Sequence, residues 1–131
     1  MEQRTIDPGG DEEGEGRGKE ESWQWSLMVL QPEFVTDQVF SQAVALMQRR
    51  KGSPSLSKLR LQEFWEGLSA QILHVGPYAA QGPTVARLNS FMEEHGYLPS
   101  GRHHEIYLSD PRRTSPDKLK TIIRQPIQTN R

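Results

Sequence analysis

The chain has 131 residues, with 16 Lys plus Arg against 17 Asp plus Glu and no cysteine. One domain is the default at that length, and a net charge of -1 gives no electrostatic case for nucleic acid or an anionic membrane surface. Without cysteine there is no disulfide scaffold, zinc-thiolate centre, iron–sulfur cluster or thiol nucleophile, so catalysis would fall to carboxylates, histidines, hydroxyls or a borrowed cofactor.

Residues 1–22 hold eight acidic groups, three basic ones and five glycines, with Ile6 the one large aliphatic after the initiator Met. Such a stretch buries too little apolar area to offset chain entropy, so a disordered acidic tail is expected there. The folded domain is then expected over 23–131, with 13 bases and 9 acids, a mild +4. The longest apolar run, Ala43–Met47, falls far short of the roughly 20 residues of a membrane span, and the opening residues lack the apolar core of a secretory signal. A cytoplasmic protein with no membrane partner is expected.

Trp23, Trp25, Leu27 and Val29 alternate with polar residues and Met28 up to Gln31-Pro32, the period of a strand. Thr36 suits a helix N-cap, and Val39, Phe40, Ala43, Val44, Leu46 and Met47 follow at helical spacing until Arg49-Arg50-Lys51 and Gly52. Leu59 and Leu61 alternate with Lys58 and Arg60, which predicts a strand running into Phe64, then a bend at Glu66-Gly67 and a strand over 68–75. Gly82-Pro83-Thr84 opens a second helix with a Val85, Leu88, Phe91, Met92 stripe, stopped at Gly96. Extended segments are predicted over 103–108 and 119–127. Strands in hairpins separated by helices imply an α+β domain, an antiparallel sheet with two helices packed on one face.

Glu105 is the residue that stands out. It lies mid-strand, where glutamate is depleted, on one face with His103 and Tyr107 while Ile106 and Leu108 point oppositely. Either that face is solvated and Glu105 decorates it, or it lines a concavity in which the carboxylate attracts a cation or acts as a base. His103 and His104 point to opposite faces and cannot chelate one ion, so no metal site is expected. His74 reads as a satisfied core or edge histidine. Trp23, Trp25 and Trp65 either fill a core or wall an apolar, cation-stacking pocket. The Gly-Pro turns at 76–78 and 82–84 lack the following Lys of a phosphate loop, Arg112-Arg113 reads as a solvated turn, and no dinucleotide fingerprint is present, so no cofactor is expected.

The segments Trp23–Thr36, Ile72-Leu-His-Val-Gly-Pro-Tyr78, Gly82-Pro-Thr-Val-Ala-Arg-Leu88, Glu94-His-Gly-Tyr97 and above all Gly101-Arg-His-His-Glu-Ile-Tyr-Leu-Ser-Asp-Pro-Arg-Arg-Thr114 resemble the C-terminal portion of the GyrI-like small-molecule-binding family. The resemblance runs from Trp23 to about Gln128. It implies two SH2-like strand-helix-strand-strand units related by a pseudo-twofold, with a ligand cleft between them. It also implies that Glu105 lies on the cleft floor, with Tyr107 and Tyr78 beside it. The family's first unit has no counterpart before Trp23, so the repeat is expected to be incomplete and the domain truncated at its N-terminal side. A homodimer or a partner subunit would then complete the cleft.

Three functions follow as expectations. The first is a binding module for apolar, cationic small molecules, with Glu105 as counter-charge and Trp25, Trp65, Tyr78 and Tyr107 as flat walls. The second, which the resemblance supplies, is hydrolysis of strained, cyclopropane-bearing genotoxins, with Glu105 and Tyr107 catalytic. The third, also from the resemblance, is a gyrase-modulating protein-interaction factor.

Overall fold

The computed structural model describes residues 2–7 and 24–130. Eight regular elements follow in chain order: β1 (Glu2–Asp7), β2 (Gln24–Val29), α1 (Asp37–Lys51), β3 (Ser69–Val75), α2 (Gly82–Glu94), β4 (Tyr97–Pro99), β5 (His103–Tyr107) and β6 (Lys120–Thr129). The strands form an antiparallel sheet in the order β2-β1-β5-β6-β3, with β4 paired to β6. This is the expected α+β architecture.

The chain divides into two compact units, Met1–Leu30 with Glu66–Arg131, and Gln31–Trp65. In the second unit α1 starts where the sequence placed it. The Thr36 hydroxyl accepts from the Val39 amide at 3.3 Å, Asp37 meets the positive end of the dipole, and Arg49, Arg50 and Lys51 occupy the last turn. No residue of α1 is buried. The strand expected from Leu59 into Phe64 does not form. Pro54–Lys58 is a short 3-10 turn capped by Ser53, the Leu59 amide closes back on the Leu56 carbonyl, and 59–67 is irregular. Alternation alone does not make a strand when no neighbouring chain offers ladder hydrogen bonds.

In the first unit, Leu88 and Met92 on α2 pack against Ala70 of β3 and Ile123 and Ile127 of β6, with Ile72, Val85 and Tyr97 against them. That is the stripe the 3.6-residue period marked. Gly96, with φ +69°, takes the left-handed position that ends α2, its amide donating to the Glu93 carbonyl. β4 carries the chain from this turn back along β6.

Glu2–Asp7 differs from the expectation of an unordered tail. These residues form β1, paired to β2 on one side and β5 on the other. A polar segment of low strand propensity is held here because two adjacent strands satisfy its backbone donors and acceptors. The rest of the acidic tail and Trp23 lie outside the described residues.

Candidate functional site

β5 runs between β1 and β6, so both its edges are paired. In antiparallel pairing, directly opposed residues project to the same face. Glu105 stands opposite Ile123, and Ile123 opposite Ile72, which places Glu105 on the α2-bearing face of the sheet. His104 and Ile106 occupy the other face, and both are buried. The middle of β5 is therefore enclosed on both sides, and Glu105 is only 8% exposed.

The Glu105 carboxylate accepts a hydrogen bond from the Tyr107 hydroxyl at 2.8 Å. Tyr107 in turn meets Tyr78 edge to face, with ring centroids 5.5 Å apart at 71°. Tyr78 reaches this position from the 3-10 turn between β3 and α2. Among residues 25–130, whose side chains are described, no Lys or Arg pairs with Glu105, and in the strand register Arg4 of β1 stands directly opposite it. Within 25–130 the Tyr107 hydroxyl is the donor to this buried carboxylate, and a carboxylate can accept from several donors at once. His103, two residues earlier on the same face, is half-buried, and burial holds its imidazole below the usual value against the opposing pull of Glu105. Near neutral pH it therefore adds no positive charge beside the carboxylate.

The connection that delivers Tyr78 is fixed by His74. Its Nδ1 lies 2.7 Å from the Thr84 hydroxyl and its Nε2 3.0 Å from the Pro77 carbonyl. A carbonyl only accepts, so Nε2 carries the proton and Nδ1 accepts from Thr84. The imidazole thus ties β3 to the first turn of α2 and to the turn that carries Tyr78. It is the satisfied histidine the sequence suggested, but the partners that give it a role are not visible in sequence.

On the opposite face, Arg124 of β6 stands across from His104, pairs with Glu66 and donates to Gln71 Oε1 at 2.9 Å. Burial lowers the His104 pKa, Glu66 opposes that shift, and His103 and Arg124 reinforce it. Neither Glu66 nor Arg124 carried a sequence signal, because their partners are 58 and 53 residues away in the chain.

Of Glu105, Tyr107, Tyr78, Trp25 and Trp65, the structure brings together the first three. Trp25 lies on β2, which is separated from β5 by β1, and is 56% exposed. Trp65 closes the second unit and is 91% exposed. No group of three or more His, Asp or Glu side chains suited to a metal ion occurs among the described residues. No described helix is long and apolar enough to cross a membrane.

A family model for the GyrI-like small molecule binding domain matches residues 27–128. The chain belongs to this GyrI-like family. No curated protein matches it. Among solved structures, an uncharacterised conserved protein from Listeria innocua superposes with a TM-score of 0.85 at 35% identity, covering 97% of this chain and 63% of that one. Two proteins described as hydrolases from the same organism superpose with TM-scores of 0.78 and 0.79, each at 34% identity and over 97% of this chain. The GyrI-like chain spans 61% and 62% of their lengths.

Proposed function

We propose that this GyrI-like domain binds an apolar small molecule bearing a positive charge, with Glu105 as the counter-charge and Tyr107 and Tyr78 as the aromatic surfaces beside it. The observation that carries this reading is the Glu105 carboxylate, 8% exposed and held by the Tyr107 hydroxyl, with the Tyr78 ring against Tyr107. A desolvated charge is costly to keep unless something compensates it, and a ligand cation against tyrosine rings supplies both ion pairing and cation–π attraction. The Tyr107 bond holds the carboxylate rotamer in place before the ligand arrives, which reduces the ordering cost of binding.

The test is a titration of benzyltrimethylammonium followed by tyrosine and tryptophan fluorescence, in the native chain and in Glu105→Gln. Removing one partner of a buried charge pair costs about 2–4 kcal/mol, so affinity should fall roughly 30- to 1,000-fold. Equal affinity in the two proteins would refute the role given to Glu105.

A second reading, hydrolysis, is favoured by the description of two of the similar structures and by the carboxylate–phenol pair itself. For a cyclopropane conjugated to a carbonyl, water would form the new C–O bond as the ring C–C bond breaks. Glu105 would take the water proton, and the electron pair would pass to the carbonyl oxygen, where Tyr107 donates to the developing oxyanion. Mass spectrometry of a cyclopropane-bearing alkylator incubated with protein decides this: a water adduct formed by the native chain and not by Glu105→Gln supports hydrolysis. Turnover no faster than buffer leaves the binding reading alone.

A further inference from the structure

Glu105 and Tyr107 lie on β5 and take their places from the sheet, whereas Tyr78 arrives on the 3-10 turn Tyr78–Ala80. No residue of that turn is buried, and Tyr78 is 40% exposed, so apolar burial alone does not fix its ring. Polar contacts hold the turn instead. The chain leaves β3 at Gly76, whose amide donates to the Leu119 carbonyl at 2.8 Å. The Pro77 carbonyl then accepts twice, from the Ala80 amide at 3.0 Å and from His74 Nε2 at 3.0 Å. The two bonds use both lone pairs of that oxygen, and they fix the planar peptide unit that leads into Tyr78.

His74 of β3, Thr121 of β6 and Tyr107 of β5 stand side by side in the strand register, so His74 and Tyr107 are two strand spacings apart, about 10 Å. The turn closes that span. His74 holds Pro77, the ring of the next residue meets Tyr107 edge to face, and the Tyr107 hydroxyl donates to Glu105. Which nitrogen of His74 faces Pro77 as a donor is set from the other side of the ring. The Thr84 hydroxyl, in the first turn of α2, occupies Nδ1 at 2.7 Å, and Nε2 then carries the proton toward Pro77. The residue is 4% exposed, which keeps bulk water from competing for either contact.

We propose that His74 is the positioning residue of the ligand site: in the tautomer that Thr84 selects, its Nε2–H bond to the Pro77 carbonyl holds the Tyr78 ring against Tyr107 and so sets the affinity for a cation at Glu105. The effect on affinity rests on the reading of Glu105 as a counter-charge; the placement of Tyr78 does not depend on any ligand.

Two substitutions separate the two sides of the ring. His74→Asn puts an amide near the Nδ1 position, in reach of Thr84 but short of Pro77, whereas His74→Gln carries an amide N–H to the Nε2 position and restores the donor to Pro77. With the three tyrosines isotopically labelled, the NOE between the Tyr78 and Tyr107 rings should be present in the native chain, lost in His74→Asn and recovered in His74→Gln. Benzyltrimethylammonium affinity should fall about 3- to 30-fold in His74→Asn, the range one cation–π contact accounts for, and return in His74→Gln. In a Tyr78→Leu background, His74→Asn should cost no further affinity, because the ring it positions is gone. The ¹⁵N shifts of the His74 ring report the tautomer in the native chain without any substitution, and an Nδ1–H ring would overturn the proposal. So would an NOE that persists in His74→Asn, or a lowered urea midpoint in that variant with native affinity in the folded protein. Failure of the native chain to bind benzyltrimethylammonium would refute the Glu105 reading, and the NOE and the tautomer would still decide the place of His74.

Discussion

Thr121 offers the sharpest check on how the sheet beneath the site is built. It lies on β6 opposite Tyr107 of β5 and opposite His74 of β3, on the face that carries Glu105. Its residue exposure is 0%, and its Oγ1 has no hydrogen-bond partner among the described residues. A buried hydroxyl left without a partner costs about 1–3 kcal/mol. Thr121→Val replaces that hydroxyl with a methyl of similar shape, removing the penalty and adding about 0.8 kcal/mol of apolar burial. Some of this gain is lost because the polar neighbours His74 and Tyr107 then face a methyl. A net stabilisation of about 1–2 kcal/mol remains, which raises the thermal midpoint by roughly 2–8 °C per kcal/mol for domains spanning this size. Urea unfolding followed by tryptophan fluorescence, alongside calorimetry, measures it. Thr121→Ser keeps the hydroxyl and loses the methyl, and should destabilise. A Thr121→Val protein weaker than the native chain by about 1 kcal/mol or more would show that the hydroxyl is bonded, and the reasoning would fail.

Three further outcomes are expected. Leu88→Ala empties part of the contact among Met92, Ala70, Ile123 and Ile127, and should cost about 2–4 kcal/mol in urea unfolding; a loss below about 1 kcal/mol would mean that α2 does not anchor this core. Gly76 has φ +133°, donates its amide to the Leu119 carbonyl at 2.8 Å, and leaves room for a methyl beside the His74 ring, so Gly76→Ala should cost about 1–3 kcal/mol through backbone strain rather than a clash, with an unchanged midpoint as the contrary result. Burial holds the His103 and His104 imidazoles below the usual 6.5, so their contribution is held in full above that pH and is lost as pH falls through the lowered folded-state values. The urea midpoint should therefore drop on acidification below pH 6.5, less steeply in His104→Gln, and a midpoint that rises on acidification would contradict the burial of these rings.

Local chemistry made some elements legible in the sequence. The Thr36 hydroxyl, the cations at Arg49–Lys51, the Pro83 start and the Gly96 stop act within a turn or two of their own positions, and both helices fall where these signals put them. The alternation over 103–108 and 119–127 located β5 and β6, and with them the face shared by His103, Glu105 and Tyr107. Leu59–Phe64 carried the same alternation without a partner chain and is irregular, while Glu2–Asp7 lacked it and is a strand between two others. The difference lies in the neighbours, since a strand exists through hydrogen bonds to distant residues.

The same distinction divides the site. The sequence by itself determined that Glu105, His103 and Tyr107 share one side of a strand, because side chains alternate with a period of two along any extended chain. Only the tertiary structure decided that this side is the one α2 packs on, that Tyr78 comes to rest on Tyr107, and that His74 clamps the turn delivering it. Periodicity assigns a residue to a face but carries no information on what covers that face; covering is set by contacts between segments tens of residues apart, and it is what turns a carboxylate in a strand into a buried one.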